Sequence, residues 1–177
     1  MSVNILVLYD NQGAQVEAMA QAVVEGVSRI QDAQAILRDI TTASPEDLMD
    51  ADGIILGSPN WSGMTGRLKS WLDEMSDLGR EGLLDGKVCA AFTVGWGRSS
   101  GTEFTLLTLL HWGLSWGMIA VGLPWTDRMV TSGSYYGATV HGDMNPDDAG
   151  QAGTLGSRTA QLASYLRAGG MPPTSQG

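Results

Sequence analysis

Apolar runs of strand length alternate with segments of helical period along the 177-residue chain. Val3 to Tyr9 is apolar almost throughout, as a parallel strand covered on both faces requires. After a polar loop, Val16, Met19, Ala20, Val23, Val24, Val27 and Ile30 follow i, i+3, i+4, i+7 spacing and mark one helical face. A second strand, Ala33 to Ile40, runs into Ser44-Pro45-Glu46-Asp47, where Ser44 is a good N-cap and Pro45 suits the first helical position. Gly53 to Gly57 reads as the third strand, and Leu68, Trp71, Leu72, Met75 and Leu78 as the next helical stripe. Lys87 to Thr93 is the fourth strand, followed by a glycine loop and an apolar stretch from Thr102 to Trp116. Met118 to Leu123 is the fifth strand, and a helix from about Ala152 to Arg167 closes the chain. The pattern predicts one α/β domain over residues 1–170 with a parallel sheet and helices on both faces. The polar residues from 171 on, including Pro172 to Gly177, read as a flexible tail. In such sheets ligands bind outside the carboxyl ends of the strands, at the topological switch point.

Composition narrows the partners. Ten Lys and Arg against 19 Asp and Glu leave a net charge of -9, which repels nucleic-acid phosphates and anionic lipid. One cysteine makes no internal disulfide, and two histidines are too few for a structural zinc cluster, so a reducing, cytoplasmic setting is expected. The opening MSVNILVLYD reads as neither signal peptide nor anchor, and no run reaches the roughly 18 apolar residues of a membrane span. Glycine is 24 of 177 residues, about 14% against a usual share of about 7%. Gly13 follows strand one, Gly57 and Gly63 strand three, and Gly95, Gly97 and Gly101 strand four, so backbone is held close to something at one sheet edge.

Three loops at that edge carry candidate chemistry. The first, Asp10-Asn11-Gln12-Gly13-Ala14-Gln15, leads straight into a helix and offers free N–H groups with the positive end of a helix dipole, an anion site. In the second, Pro59-Asn60-Trp61-Ser62-Gly63, an aromatic stands at the ligand edge instead of in the core. The third, Val94-Gly95-Trp96-Gly97-Arg98-Ser99, adds a second tryptophan and a guanidinium, suited to a planar anionic ring system.

On these residues the chain resembles flavodoxin-like FMN proteins, and most closely the WrbA-type NAD(P)H:quinone oxidoreductases. The matching segments are ILVLYDNQGAQVEAMAQAVVEGV, IILGSPNWSGMTGRLKSWLDE, FTVGWGRSSGTEFT, WGMIAVGLPW and SYYGATVHGD with its closing helix. The resemblance implies a three-layer sandwich with strand order 2-1-3-4-5, electron transfer from NAD(P)H to a quinone or similar acceptor, and a homodimer or homotetramer. It implies that residues 10–15 bind the FMN phosphate, that Pro59 to Gly63 line the isoalloxazine, and that residues 94–99 cover its other polar edge. No side-chain acid or base is required, because the flavin carries the chemistry.

The chain departs from that pattern in places. Ser115-Trp116 replaces the family's histidine pair, the connection from strand two to strand three is short, and Asp10 replaces the Ser or Thr that opens the phosphate loop. A carboxylate facing a phosphate at 4 Å is repelled by roughly 4 kcal/mol per charge pair at an effective dielectric of about 20. On that reading Asp10 weakens FMN, unless it turns away to cap the helix that follows it, and Asp10→Ser tightens it. The loss of the histidine pair and the acidic surface keep open an electron carrier, or a flavin-binding protein without turnover.

A rival from another class also exists. Gly97-Arg98-Ser99-Ser100-Gly101 is a formal G-x-S-x-G between a strand and a helix, with Asp127 and His141 following in hydrolase order. Gly95-x-Gly97 with Gly101 is only a loose dinucleotide fingerprint, since no acidic residue follows about 20 positions later on a strand. Cys89 reads as a small core residue, and His111 as a core or interface histidine. Tyr135 and Tyr136 read either as a cover over the flavin or as packing, and the apolar helix from Thr102 as one buried on both sides, hence at a subunit interface.

Overall fold

The computed structural model describes residues 2–169, so the tail from residue 171 on lies outside the described residues. In chain order the elements are β1 (Val3–Tyr9), α1 (Ala14–Val27), β2 (Ala33–Asp39), α2 (Pro45–Asp50), β3 (Gly53–Pro59), α3 (Gly66–Glu74) and α4 (Ser76–Arg80). Then come β4 (Val88–Gly95), α5 (Thr102–Ser115), β5 (Ile119–Ala120), a 3-10 turn (Asp127–Val130), β6 (Ala138–His141) and α6 (Pro146–Gly169). The strands pair in the order β2-β1-β3-β4-β5, every pair is parallel, and β6 also pairs with β4. This is the expected 2-1-3-4-5 order with one strand more.

Each central strand divides its side chains between two cores, as the two-residue period of a strand demands. Ile5 and Val7 of β1, Ile55 of β3 and Ala90 and Phe92 of β4 face α1 and α6. Leu6 and Leu8, Ile54 and Leu56, and Cys89 and Ala91 face the other layer, with Leu68 and Leu72 of α3 and Leu106 and Leu109 of α5. Cys89 is buried among these apolar groups, which push its thiol up to about 12 and leave it a core residue.

The fifth strand differs from the expected Met118–Leu123. Only Ile119 and Ala120 pair with β4, opposite Val88 and Cys89. The chain then leaves the sheet: the Leu123 N–H goes to the Tyr135 carbonyl at 3.1 Å, and Pro124 has no N–H to add to a ladder. It returns at β6, where Ala138 to His141 take up places beside Phe92 to Gly95. The edge of the sheet is thus one strand in two pieces, and the second piece delivers residues 141–143 to the carboxyl edge.

Helix α6 starts six residues before the expected Ala152. The Asn145 Oδ1 accepts from the N–H groups of Asp147 and Asp148 at 2.8 and 3.1 Å, and the Asp148 carboxylate accepts the Asn145 N–H at 2.9 Å. This reciprocal capping satisfies N–H groups that the first turn leaves orphaned. Helix α5 buries Leu106, Leu109, Leu110 and Trp112 but leaves Phe104, Leu107 and Leu114 exposed, so within one chain it is covered on one side only. His111 is exposed on the same helix and is not a core histidine.

Helices α1 and α6 approach so closely that backbone meets backbone. A Cβ on Gly26 would stand 2.0 Å from the Gly153 carbonyl oxygen, and one on Gly156 would stand 2.2 Å from that of Val23. These glycines sit inside helices, where glycine costs about 1 kcal/mol relative to alanine, and the close contact offsets that loss. Gly156→Ala is expected to lower unfolding free energy by about 1–3 kcal/mol in urea titration, against a change under about 0.5 kcal/mol for Gly66→Ala. A Cβ at Gly66 meets nothing within 4 Å.

Candidate functional site

The carboxyl ends of the strands carry a cavity of about 310 Å³. The β1–α1 turn contributes Gln12, Gly13, Ala14, Gln15 and Val16; the end of β3 and its loop contribute Pro59, Asn60 and Trp61; the end of β4 and its loop contribute Val94, Gly95 and Trp96. Gly142 and Asp143, after β6, complete the lining. The volume lies at the lower end of the about 300–1,000 Å³ of small-molecule and cofactor sites.

The turn before α1 presents backbone donors. Gly13 is the N-cap with a φ of 139°, a conformation that favours glycine, and no side chain caps the helix. Among the described residues no acceptor is bonded to the N–H groups of Ala14, Gln15 or Val16, so these first-turn donors and the positive end of the helix dipole face the cavity mouth. The turn is held from behind: the Asp10 N–H goes to the Gly57 carbonyl at 3.1 Å, and the Asn11 N–H to the Asp39 carboxylate at 2.8 Å. Burial pushes the Asp39 carboxyl up, but hydrogen bonds from Thr41 and Asn11 and the Arg67 charge outweigh that and bring it below its ordinary value.

The β3 loop turns through Ser62 and Gly63, with φ of 60° and 120°, and closes with a hydrogen bond from the Trp61 N–H to the Gly63 carbonyl at 2.9 Å. That turn sends Trp61 outward, 59% exposed. Trp96 is 94% exposed, an indole with almost no packing of its own. Asn60 locks the two aromatic loops together: its side chain donates to the Ser100 carbonyl at 2.7 Å and accepts from the Thr105 hydroxyl at 2.8 Å, while its N–H goes to the Val94 carbonyl at 2.8 Å. The cavity therefore has aromatic walls at one end and unpaired N–H donors at the other. That donor set suits a flat ring carrying a phosphate, and so fits FMN.

Several expected residues lie elsewhere. Asp10 is fully buried and does not line the cavity; its carboxylate takes the Thr65 hydroxyl at 2.6 Å and the Gln12 amide at 2.9 Å. It thus turns away from the anion side, towards the first turn of α3 and not of the helix that follows it. Arg98 also turns away, donating to the carbonyls of Val130 and Thr131 at 3.0 and 2.9 Å, where it lines a separate cavity of about 130 Å³ with His141. Asn11, Ser62, Gly63, Gly97 and Ser99 shape the loops without lining the main cavity. Tyr135 and Tyr136 are exposed and do not line it either.

Sequence reasoning missed Val16, Gly142 and Asp143. Gly142 is drawn in by a backbone bond from its N–H to the Gly95 carbonyl at 2.9 Å, and Asp143 accepts from the Gln15 side chain at 2.9 Å. Recognising Ala138 to Val140 as a strand would have found them, because a strand ending at His141 must open its next loop on the same edge.

The hydrolase constellation is not assembled. Among the described residues no hydrogen bond joins Ser99, His141 and Asp127, and the buried His141 Nδ1 has no partner. Burial pulls the His141 pKa down against the pull of Asp148, and the Arg98 charge lowers it further. A nucleophile needs its base, and the base its orienting group, within hydrogen-bond reach. Among the described residues no group of three or more His, Cys, Asp or Glu side chains converges on a metal position, and no helix is long and apolar enough to cross a membrane.

Comparison with known proteins agrees with this geometry. Residues 10–127 match the family model described as NADPH-dependent FMN reductase. A protein named NAD(P)H dehydrogenase (quinone) from Archaeoglobus fulgidus is 41% identical over 131 residues, spanning 73% of this chain and 69% of its own. One of the same name from Geobacter sulfurreducens is 32% identical over 200 residues, covering 92% of this chain and 98% of its own. In structure, a flavodoxin, WrbA-like protein from Agrobacterium tumefaciens superposes with a TM-score of 0.75 at 24% identity, over 93% of this chain and 99% of that one. The chain belongs to the NADPH-dependent FMN reductase family and carries it on a flavodoxin-like fold.

Proposed function

We propose that the cavity at the carboxyl edge binds FMN and that the protein uses it as an NAD(P)H:quinone oxidoreductase. The observation that carries this reading is the pairing, in one cavity, of two exposed tryptophans with an uncapped helix N-terminus. The first-turn N–H groups of Ala14, Gln15 and Val16 hold the phosphate, helped by the Gln12 side chain. Trp61 and Trp96 wall the flat ring system and exclude water from its faces. FMN, when bound, supplies the hydride and electron chemistry; the chain supplies orientation, enclosure and neutral donors. Among the described residues, Asp143 is the one ionisable side chain that lines the cavity.

The finer setting follows from the same surfaces. A net charge of -9 argues against nucleic acid as a partner, and a lone buried cysteine accords with a reducing cytoplasm. The exposed face of α5, with Phe104, Leu107 and Leu114, supports a homo-oligomer that packs this face against a second copy. A flavodoxin-like carrier is the second reading, favoured by Ser115-Trp116 where the family's histidine pair stands.

Titration with FMN should give a saturable flavin absorbance shift, and no binding at tens of micromolar FMN rejects the reading. Trp61→Ala and Trp96→Ala should each weaken FMN by roughly 2–10-fold, the value of one aromatic contact. Steady-state oxidation of NADH and NADPH with benzoquinone should show turnover; FMN binding without turnover assigns the carrier. Leu107→Lys should shift sedimentation towards the monomer.

A further inference from the structure

We infer that Asp10 is a positioning residue for the phosphate turn, acting through Gln12 and Thr65, and that its carboxylate strengthens FMN binding instead of opposing it. The inference rests on the FMN reading of the cavity. Asp10 has no exposed surface. An ionised carboxylate only accepts hydrogen bonds, and two donors and a guanidinium surround this one. The Thr65 hydroxyl donates to Oδ2 at 2.6 Å, the Gln12 side-chain amide donates to Oδ1 at 2.9 Å, and the Arg67 guanidinium stands 3.5 Å from Oδ1.

The Thr65 hydroxyl is committed on both sides. It accepts the Leu68 N–H at 3.3 Å as the N-cap of α3, so its single proton is the one given to Asp10. The Thr65 N–H goes to the Ser58 hydroxyl at 3.0 Å, which fixes Thr65 to the end of β3. Thr65 is therefore a rigid post, Asp10 is tied to it, and Gln12, which lines the cavity, is tied to Asp10. The neighbouring Asn11 is fixed in the same sense by Asp39. Two carboxylates thus hold the turn from the side away from the ligand and leave its N–H groups pointing forward.

This reverses the expectation drawn from residue type alone. A Ser at position 10 would put a hydroxyl where the structure needs an acceptor for two donors and a counter-charge for a guanidinium, leaving the buried Thr65 hydroxyl and the Arg67 charge poorly matched.

The test separates the phosphate turn from the rest of the site by comparing FMN with riboflavin, which lacks the phosphate. Affinities are read by quenching of flavin fluorescence in the full-length chain. Asp10→Asn and Asp10→Ser should each weaken FMN by roughly tenfold while changing riboflavin less than about twofold. Thr65→Val should lower the FMN-to-riboflavin affinity ratio in the same way, and Thr65→Ser, which keeps the hydroxyl, should restore it. If either Asp10 variant fails to fold, the Thr65 pair still decides. Tighter FMN binding by Asp10→Ser overturns the inference, and so does an equal loss for both flavins. A wild-type chain that binds neither flavin rejects the FMN reading itself, whereas wild-type binding with an unchanged ratio in the variants rejects only the role of Asp10.

Discussion

The site depends on backbone pairing that continues past the ends of the parallel strands. Asp10 N–H to the Gly57 carbonyl, Asn60 N–H to the Val94 carbonyl and Gly142 N–H to the Gly95 carbonyl join β1 to β3, β3 to β4 and β4 to β6 just where the loops begin. Each bond extends a ladder by one step and sets the direction in which its loop leaves the sheet. Four separate stretches of sequence meet around one cavity because these steps are in register, and the side chains in the loops then only refine what the backbone has placed. This is the physical content of a binding site at the carboxyl ends of a parallel sheet.

Most of the architecture was legible because buried parallel strands have no polar face to confuse them with anything else. Val3–Tyr9 and the α1 stripe from Val16 to Val27 appear in the structure as they read in the sequence. The fifth strand was not legible for a non-local reason. Ala138 to His141 becomes a strand only because β4 runs on for six residues beyond Cys89, where the divided strand's first piece stops pairing, and the last four of these still need an edge partner. A four-residue segment behind glycines and a tyrosine pair carries no period of its own. The start of α6 could have been read. Asn145-Pro146-Asp147-Asp148 repeats the Ser44-Pro45-Glu46-Asp47 arrangement at α2, and in both the third helical residue reaches back to the N-cap N–H.

Glycine shows how composition is read correctly in total and misplaced in detail. The loop glycines do gather at the cavity edge, as Gly13, Gly95 and Gly142 show. Others serve helix packing, since Gly26, Gly153 and Gly156 let α1 and α6 meet through their backbones. In a sequence these positions look like weak points in helices, because the partner that makes them necessary lies more than a hundred residues away.

Charge was the property least readable from sequence, because its effect depends on direction. Asp10 and Arg98 have the right positions to meet a phosphate and a flavin edge, yet Asp10 faces Thr65 and Arg98 faces Val130 and Thr131. Of the groups that claim Asp10, only Gln12 is local; Thr65 and Arg67 lie outside any local window around it. The consequence is that no cationic side chain among the described residues lines the cavity, in a chain whose net charge is -9. An anion bound there, as proposed, would be held by oriented amide dipoles and not by a counter-charge. Such dipoles are effective only when fixed, because a mobile donor must lose freedom on binding while a fixed one has already lost it in folding. Acidic side chains placed behind the turn are therefore consistent with an anion in front of it. They accept the turn's other donors, hold its backbone still, and leave the first turn of α1 to the ligand.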